Sequence, residues 1–530
     1  MTDVWATEPS TSRRLPDPRP RAASGLLGVA SKDTSSGSAL YVAVDIGASS
    51  GRVIVGRIGE GVAELHVVHR FPNGVVEHRG SLYWDLDALM VQVLAGLAAA
   101  AEHAVAASAT ISSIGIDTWA VDYGLVDASG RLDSMPFSYR DSRGPAAVDA
   151  VHDHISPGQL YATNGLQHLP FNTLYQLATE KNLAGRQAML IPDLIALKLT
   201  GVRRSEVTNA STTGLFDAVA GEWATESFQA LGLPTGLFPP LIRPGETLGT
   251  LLPAVAAQTG LAAATPVVAV GSHDTASAVA AVPAAKRNFA YISSGTWSLV
   301  GVELHAPVLT EASRLANFTN ERGVDSTVRY LRNVGGLWLL SESMRSWEQE
   351  AADAGSPTQH LGLLALLAAA AKEPTGGPLI DVDSTEYIAP GNMPERIRAA
   401  VGATGGALET RPAAVVRCIV ESLAAAYART IRQAVELSGQ PVEVIHIVGG
   451  GSQNDLLCQL TADATGLPVL AGPVEATALG NILIQARAAG AAPATLAGLR
   501  SIVAAAYPCL RYEPAPRQVT DAAQNPDSLE

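Results

Sequence analysis

Runs of apolar residues broken by small ones mark the elements of this chain. Tyr41-Val-Ala-Val44 runs apolar into Asp45, the turn Gly47-Ala-Ser-Ser-Gly51 follows, and Val53-Ile-Val-Gly-Arg-Ile58 resumes a β-branched pattern. This predicts a buried strand, a bare hairpin tip and a second strand. The design returns in the second half, where Ala290-Tyr-Ile292 leads through Ser293-Ser-Gly-Thr296 into Trp297-Ser-Leu-Val-Gly-Val302. A repeat at so long a spacing implies two similar α/β halves facing each other, not a short-period solenoid. Ile111–Ile116 reads as a further strand, and the Pro and Gly cluster from Leu231 to Gly249 as a looped connection, so the boundary between halves is expected near Thr265. Val442–Val448 predicts a strand that stops at Gly449-Gly450-Gly451 before a helix over Asn454–Ala464, and Leu361–Lys372 predicts an Ala-rich packing helix. Residues 1–39 are rich in Ser, Pro and Arg without periodicity and are expected to be a disordered tail, as are residues 511–530.

Composition narrows the class. The 530 residues are 47% hydrophobic and 16% charged, enough apolar surface for large cores and too much for a disordered or coiled-coil chain. With 36 basic and 50 acidic residues the net charge is −14, which repels nucleic acid and anionic membranes. Any phosphate bound here must be gripped locally, by backbone N–H groups, hydroxyls or a metal. Cys418, Cys458 and Cys509 are too scattered for a disulfide framework, and the uninterrupted apolar runs are too short to span a bilayer. A soluble cytoplasmic protein is expected.

The chemistry concentrates at the turns. A tip of Gly, Ala and Ser exposes N–H donors and hydroxyls that suit phosphate oxygens, and two such tips plus the triple-Gly strand end suggest a nucleotide gripped from both halves. No Gly-Lys pair exists, which excludes a P-loop, and the third glycine of a Rossmann fingerprint falls at Asn454. The competitor is a serine hydrolase, because Gly47-Ala-Ser49-Ser-Gly51 fits G-x-S-x-G; that motif needs a helix after the turn, whereas a strand is predicted. Asp45, at a strand end before the first turn, either caps the turn's amides or holds Mg²⁺. Asp274, where Val268-Ala-Val-Gly-Ser-His273 passes into a helix, either caps that helix or acts as general base toward an attacking hydroxyl. Arg140 and Arg143 either orient a polyol or phosphate or pair with local acids. His152 and His154 lack a third ligand at recognisable spacing for a metal site.

Read in order, Val44-Asp-Ile-Gly-Ala-Ser-Ser-Gly-Arg52, Ile114-Gly-Ile-Asp-Thr-Trp119, Tyr139-Arg-Asp-Ser-Arg143, Ser272-His-Asp-Thr-Ala-Ser-Ala-Val279, Ser293-Ser-Gly-Thr-Trp-Ser298 and His446-Ile-Val-Gly-Gly-Gly451 resemble the FGGY sugar kinases. The resemblance covers Tyr41 to about Tyr507. It implies an α/β fold of two actin-like, ribonuclease H-like ATPase domains around a cleft, the first over 40–264 and the second over 265–510. It also implies a monomer that uses ATP and Mg²⁺ to phosphorylate the C1 hydroxyl of L-rhamnulose, with fuculose or xylulose as alternatives. Asp274 is then the base, and Ala120, His273, Thr275 and Asn333 hold the sugar. Ala48, Ser49, Ser50, Gly51, Arg52, Thr296, Ser341 and Gly450 lie on the nucleotide, with Asp45 toward the metal. Two positions depart from the family: Ala120 stands where Gly is usual, and Ser341 is shorter than the Gln that reaches the nucleotide.

Overall fold

The computed structural model describes residues 39–59, 62–353 and 362–516. Its first sheet is built from β1 (Ala39–Ile46), β2 (Ser50–Gly59), β3 (Val62–Pro72), β4 (Thr110–Thr118), β5 (Thr247–Thr250) and β6 (Pro266–Val268), in the order β3-β2-β1-β4-β6-β5. The second contains β7 (Phe289–Ser294), β8 (Trp297–Leu304), β9 (Thr319–Arg322), β10 (Val328–Gly335), β11 (Val444–Val448), β12 (Val469–Ala471) and β13 (Leu510–Tyr512), in the order β9-β10-β8-β7-β11-β12-β13. Each sheet places an antiparallel hairpin, β1-β2 or β7-β8, at its centre, and pairs the first hairpin strand in parallel with a later one, β4 or β11. The repeat in the letters is therefore a repeat of topology.

The change from one sheet to the other falls between Val268 and Phe289, so β6, beyond the boundary expected near Thr265, pairs in the first sheet. At the ends, Ala39 opens β1 and Arg511 and Tyr512 pair with β12, so both expected tails overlap strands; the remainder of each, residues 1–38 and 517–530, lies outside the described residues.

Strand β1 reads as an unbroken apolar run because both its faces are covered. Val42 and Val44 pack with Leu89, Val93 and Leu97 of α1 (Leu86–Ala106). Tyr41 and Ala43 pack on the opposite side against Ala278 of α2 (Asp274–Ala280) and Leu479 and Ile482 of a later helix. Helix α1 is long and apolar enough to cross a membrane by composition, yet its Leu89, Val93, Leu97 and Ala100 are buried at helical spacing against the sheet, which makes it a core helix.

In the second half, α3 (Trp338–Asp353), α4 (Pro412–Ser438) and α5 (Asp455–Thr465) cover one face of the sheet. Helix α6 (Ala476–Ala488) lies between the halves on α2, and the two backbones meet so closely that a Cβ on Gly480 would fall 1.8 Å from the Ser277 carbonyl oxygen. Polar contacts tie α6 to the first sheet: Gln485 Nε2 donates to the Val42 carbonyl at 3.0 Å, and Ser113 Oγ donates to Gln485 Oε1 at 2.6 Å.

Candidate active site

The two hairpin tips and the triple-Gly strand end are shaped by close approach. In the first tip Gly47 N donates to Ser50 O at 2.8 Å, and Asn73 braces the turn through Nδ2 to Gly47 O at 2.8 Å and N to Ser49 O at 3.0 Å. The Phe71 ring lies 2.2 Å from where a Cβ on Gly51 would sit, so any larger residue would have to displace the ring. Ser49 is exposed, with Ala48 and Ser50 half-buried beside it. Because the chain passes from this tip directly into β2, Ser49 stands in a hairpin and not at a strand-to-helix elbow, which overturns the hydrolase alternative.

The second tip is fastened to the start of α3 by Leu337 N to Gly295 O at 3.0 Å and Trp338 N to Thr296 O at 3.2 Å. Ser341 follows within the first turn of α3 and is half-buried. Gly451 packs on the same tip, where a Cβ would meet Ser294 Oγ at 2.0 Å, and Gly449, at φ 82°, approaches Ser294 O. A Cβ on Gly450 would meet nothing within 4 Å. Two of the three glycines are thus required by packing, and the middle one faces open space beside the tip.

Three carboxylates gather where the strands end. Asp45 and Asp117 are register neighbours on β1 and β4. Asp45 Oδ2 accepts from Arg52 Nε at 3.0 Å, and Arg52 Nη1 reaches Glu475 of the other half at 2.6 Å. Burial works against the Arg52 charge, but Asp45 and Glu475 raise its pKa overall. Asp117 accepts from Asn481 Nδ2 at 2.5 Å, while its buried Oδ1 has no partner. Burial, then the charge of Asp45, pushes Asp117 well above the usual carboxylate range.

Asp274 opens α2, but the N-cap position is His273, so the helix-capping alternative does not hold. Its Oδ1 accepts from Thr275 Oγ1 at 3.0 Å and lies 3.6 Å from His273 Nε2. The side chain is 34% exposed, and burial of its surroundings raises its pKa despite the opposing effects of His273 and Thr275. The approach to this residue is fixed from below: Ser272 N and Oγ both donate to the buried Glu206 Oε2, at 3.0 and 2.8 Å.

Ala120 follows β4 in a loop clamped by Asp122. Asp122 Oδ2 accepts from Trp84 Nε1 at 2.6 Å, Trp119 Nε1 at 2.9 Å and Tyr139 N at 3.1 Å, and Oδ1 accepts from Gln176 Nε2 at 3.1 Å. Burial outweighs these donors and lifts the Asp122 pKa to about 6. Asn333 on β10 is linked to the first half through Gln167, whose Oε1 accepts from Asn333 N and Nδ2, both at 2.9 Å.

Similarity to known proteins agrees with this geometry. Residues 40–281 match the model of the FGGY family of carbohydrate kinases, N-terminal domain, and residues 290–489 match that of the C-terminal domain. The chain belongs to the FGGY family of carbohydrate kinases. It is 41% identical over 489 residues to a rhamnulokinase of Bacteroides thetaiotaomicron, covering 91% of this chain and 97% of that one. It is 37% identical to the Bacillus subtilis rhamnulokinase, covering 85% and 90%. Among solved structures, a ligand-bound xylulose kinase from Lactobacillus acidophilus superposes with a TM-score of 0.70 at 14% identity, over 90% of this chain and 94% of that one. A Plasmodium falciparum glycerol kinase with ADP gives the same figures. These distant structures share the fold.

Within this kinase fold the structure brings Asp45, Arg52, His273, Thr275 and Asp274 close to the junction of the halves, with Ala120 and Asn333 on loops and strands linked to it. Arg143 takes the structural alternative: its Nη1 pairs with Glu180 at 2.7 Å and its guanidinium lies 3.7 Å from the Phe137 ring centroid. Arg140 lies over Trp338 of α3 at 4.8 Å. His152 bonds Tyr175. Sequence reasoning missed Asp117, Asp122 and Glu206. Asp117 was visible inside Ile114–Trp119, but only the pairing of β4 with β1 sets it beside Asp45.

Proposed function

We propose that this carbohydrate kinase transfers the γ-phosphoryl group of ATP to the C1 hydroxyl of L-rhamnulose, giving L-rhamnulose 1-phosphate and ADP. The observation that supports it most is Asp274: a carboxylate one-third open at the head of a helix, within reach of the charge of Asp45 before the first tip and next to His273, which pairs with Thr118 at the entry to the Ala120 loop. The reading of the sugar rests on similarity to rhamnulokinases across most of the chain.

In this reading Asp274 takes the C1 proton as the C1 oxygen bonds to the γ-phosphorus and the bond from that phosphorus to the β-phosphate oxygen breaks. Burial raises the pKa of Asp274, which makes it a stronger base than an exposed carboxylate. Ala48, Ser49, Ser50, Gly51 and Arg52 bind phosphate from the first half; Thr296, Ser341 and Gly450 serve the nucleotide from the second. His273, Thr275, Asn333 and the Ala120 wall orient the sugar. The unpartnered Asp117 oxygen beside Asp45 suits a magnesium ion, which prefers one or two carboxylates completed by water and phosphate. Asp45 and Asp117 would hold it, and when bound it neutralises phosphate charge.

Turnover of L-rhamnulose, L-fuculose and D-xylulose in a coupled ADP-release assay tests the proposal. The highest kcat/KM is expected for L-rhamnulose; a tenfold preference for another ketose, or turnover of none, would overturn it.

A further inference from the structure

His273 is gripped from behind by a buried ion pair of the second sheet. Glu321 on β9 and Arg329 on β10 are register partners. Arg329 Nη2 lies 3.0 Å from Glu321 Oε2 and 3.1 Å from His273 Nδ1, and the same Glu321 oxygen is 3.2 Å from Nδ1. The Arg329 side chain is 0% exposed, and those of Glu321 and His273 are nearly buried too. Burying charge in this way costs stability unless its partners use it. Although burial raises the Glu321 pKa, the Arg329 charge is the largest influence bringing it below the usual range, so Glu321 remains the counter-ion.

The hydrogen bonding is decided by what a guanidinium cannot do. Nδ1 faces both the Arg329 N–H and the Glu321 carboxylate, but only the arginine contact has hydrogen-bond geometry, and Glu321 Oε2 is left without a hydrogen bond; because arginine has donors only, Nδ1 answers it with a lone pair. A proton on Nδ1 would set two N–H groups against each other. In the neutral ring the hydrogen is then on Nε2, the edge that faces Asp274. At 3.6 Å the two groups are too far apart to satisfy one another, so a donor and an acceptor stand side by side toward the sugar.

We propose that Arg329, neutralised by Glu321, is a positioning residue that fixes His273 as its Nε2–H tautomer and thereby selects substrates bearing an oxygen on the carbon next to the phosphorylated hydroxyl. The C1 hydroxyl gives its proton to Asp274, and the neighbouring O2, whether carbonyl or anomeric, accepts from His273. This rests on the ketose kinase reading for its substrate, and extends it to the residues that set the polarity of the site.

Nitrogen NMR of the full-length protein labelled with ¹⁵N-histidine reads the tautomer without any sugar. The His273 signal is assigned by its loss in His273→Gln. An Nε2–H tautomer is expected, and in Arg329→Gln, once folding is verified by circular dichroism, a mixture of tautomers. An Nδ1–H ring in the unmodified protein would overturn the proposal, and that measurement does not depend on the variants. In turnover, His273→Leu should lower kcat/KM for the ketose roughly 10- to 100-fold, the scale of one hydrogen bond to substrate, with KM for ATP unchanged. His273→Gln, which keeps an N–H donor, should recover most of the loss. With an analogue whose O2 is replaced by hydrogen, the unmodified enzyme and His273→Leu should perform alike; a persisting difference would overturn the assignment of O2. Failure to turn over any ketose would count against the proposed function, while the spectrum would still decide the tautomer.

Discussion

Replacing Asp274 by Asn removes a proton acceptor while leaving almost every contact in place. The amide oxygen still accepts from Thr275 Oγ1, and no N-cap bond is lost because the cap position is His273. Neither neighbouring carboxylate is placed to take over. Asp45 is held by Arg52 at 3.0 Å, and Asp117 is fully buried and bonded to Asn481. The whole of the base contribution should therefore disappear, a loss of about 10²- to 10⁴-fold in kcat. Nucleotide affinity should hold or improve, since Asp274 is a like charge acting on both Asp45 and Asp117 sites. Thermal stability should not fall, because an ionised group in a dense setting is exchanged for a neutral one. Coupled ADP release at saturating sugar gives kcat, and titration with a non-hydrolysable ATP analogue gives affinity. A kcat within about tenfold of the unmodified enzyme, with affinity intact, would remove Asp274 from proton transfer.

Other tests follow from the same structure. Activity should decline toward acid with an apparent pKa above that of an ordinary aspartate, since the base must be ionised and burial raises its pKa; a pH profile of kcat/KM locates that limb. Gly450→Ala should leave stability unchanged and raise KM for ATP, whereas Gly451→Ala, with its Cβ 2.0 Å from Ser294 Oγ, should lower Tm by disturbing the second tip; calorimetry with ATP kinetics separates them. Asp122 binds its proton more tightly when folded, so its share of stability is present in acid and is lost as pH rises through about 6. Urea unfolding of Asp122→Asn against the unmodified protein at acid and neutral pH should show about 3 kcal/mol less pH dependence across that window.

The legible parts of the chain were local ones. A strand, a tip of Gly and Ser and a returning strand specify a hairpin from neighbours alone, and Asp274 announces itself where an apolar strand turns polar before a helix. The glycines at 51 and 451 could be read as turn residues, though not as spaces filled by Phe71 and Ser294, which come from outside those turns. Residues whose meaning depends on distant partners stayed hidden. Asp122 looks like one more acid after Trp119 until Trp84, Tyr139 and Gln176 converge on it. Glu321 and Arg329 belong to an unremarkable polar stretch, and only the pairing of β9 with β10 against His273 makes them a unit. The boundary was misplaced for the same reason: β6 is three residues long and carries no signal of which sheet it joins.

The helix Ala476–Ala488 comes late in the chain but supplies the amide that donates to one oxygen of Asp117 and the one that meets Val42 on the first sheet. Cut from the rest, the segment matched by the N-terminal family model would carry a buried acid stripped of its amide and an apolar face left wet. The gene segment that encodes a unit is not the unit that folds. Any side chain at position 480 would have to push this helix off the one that carries Asp274, since the backbone of Ser277 already fills the place of its Cβ.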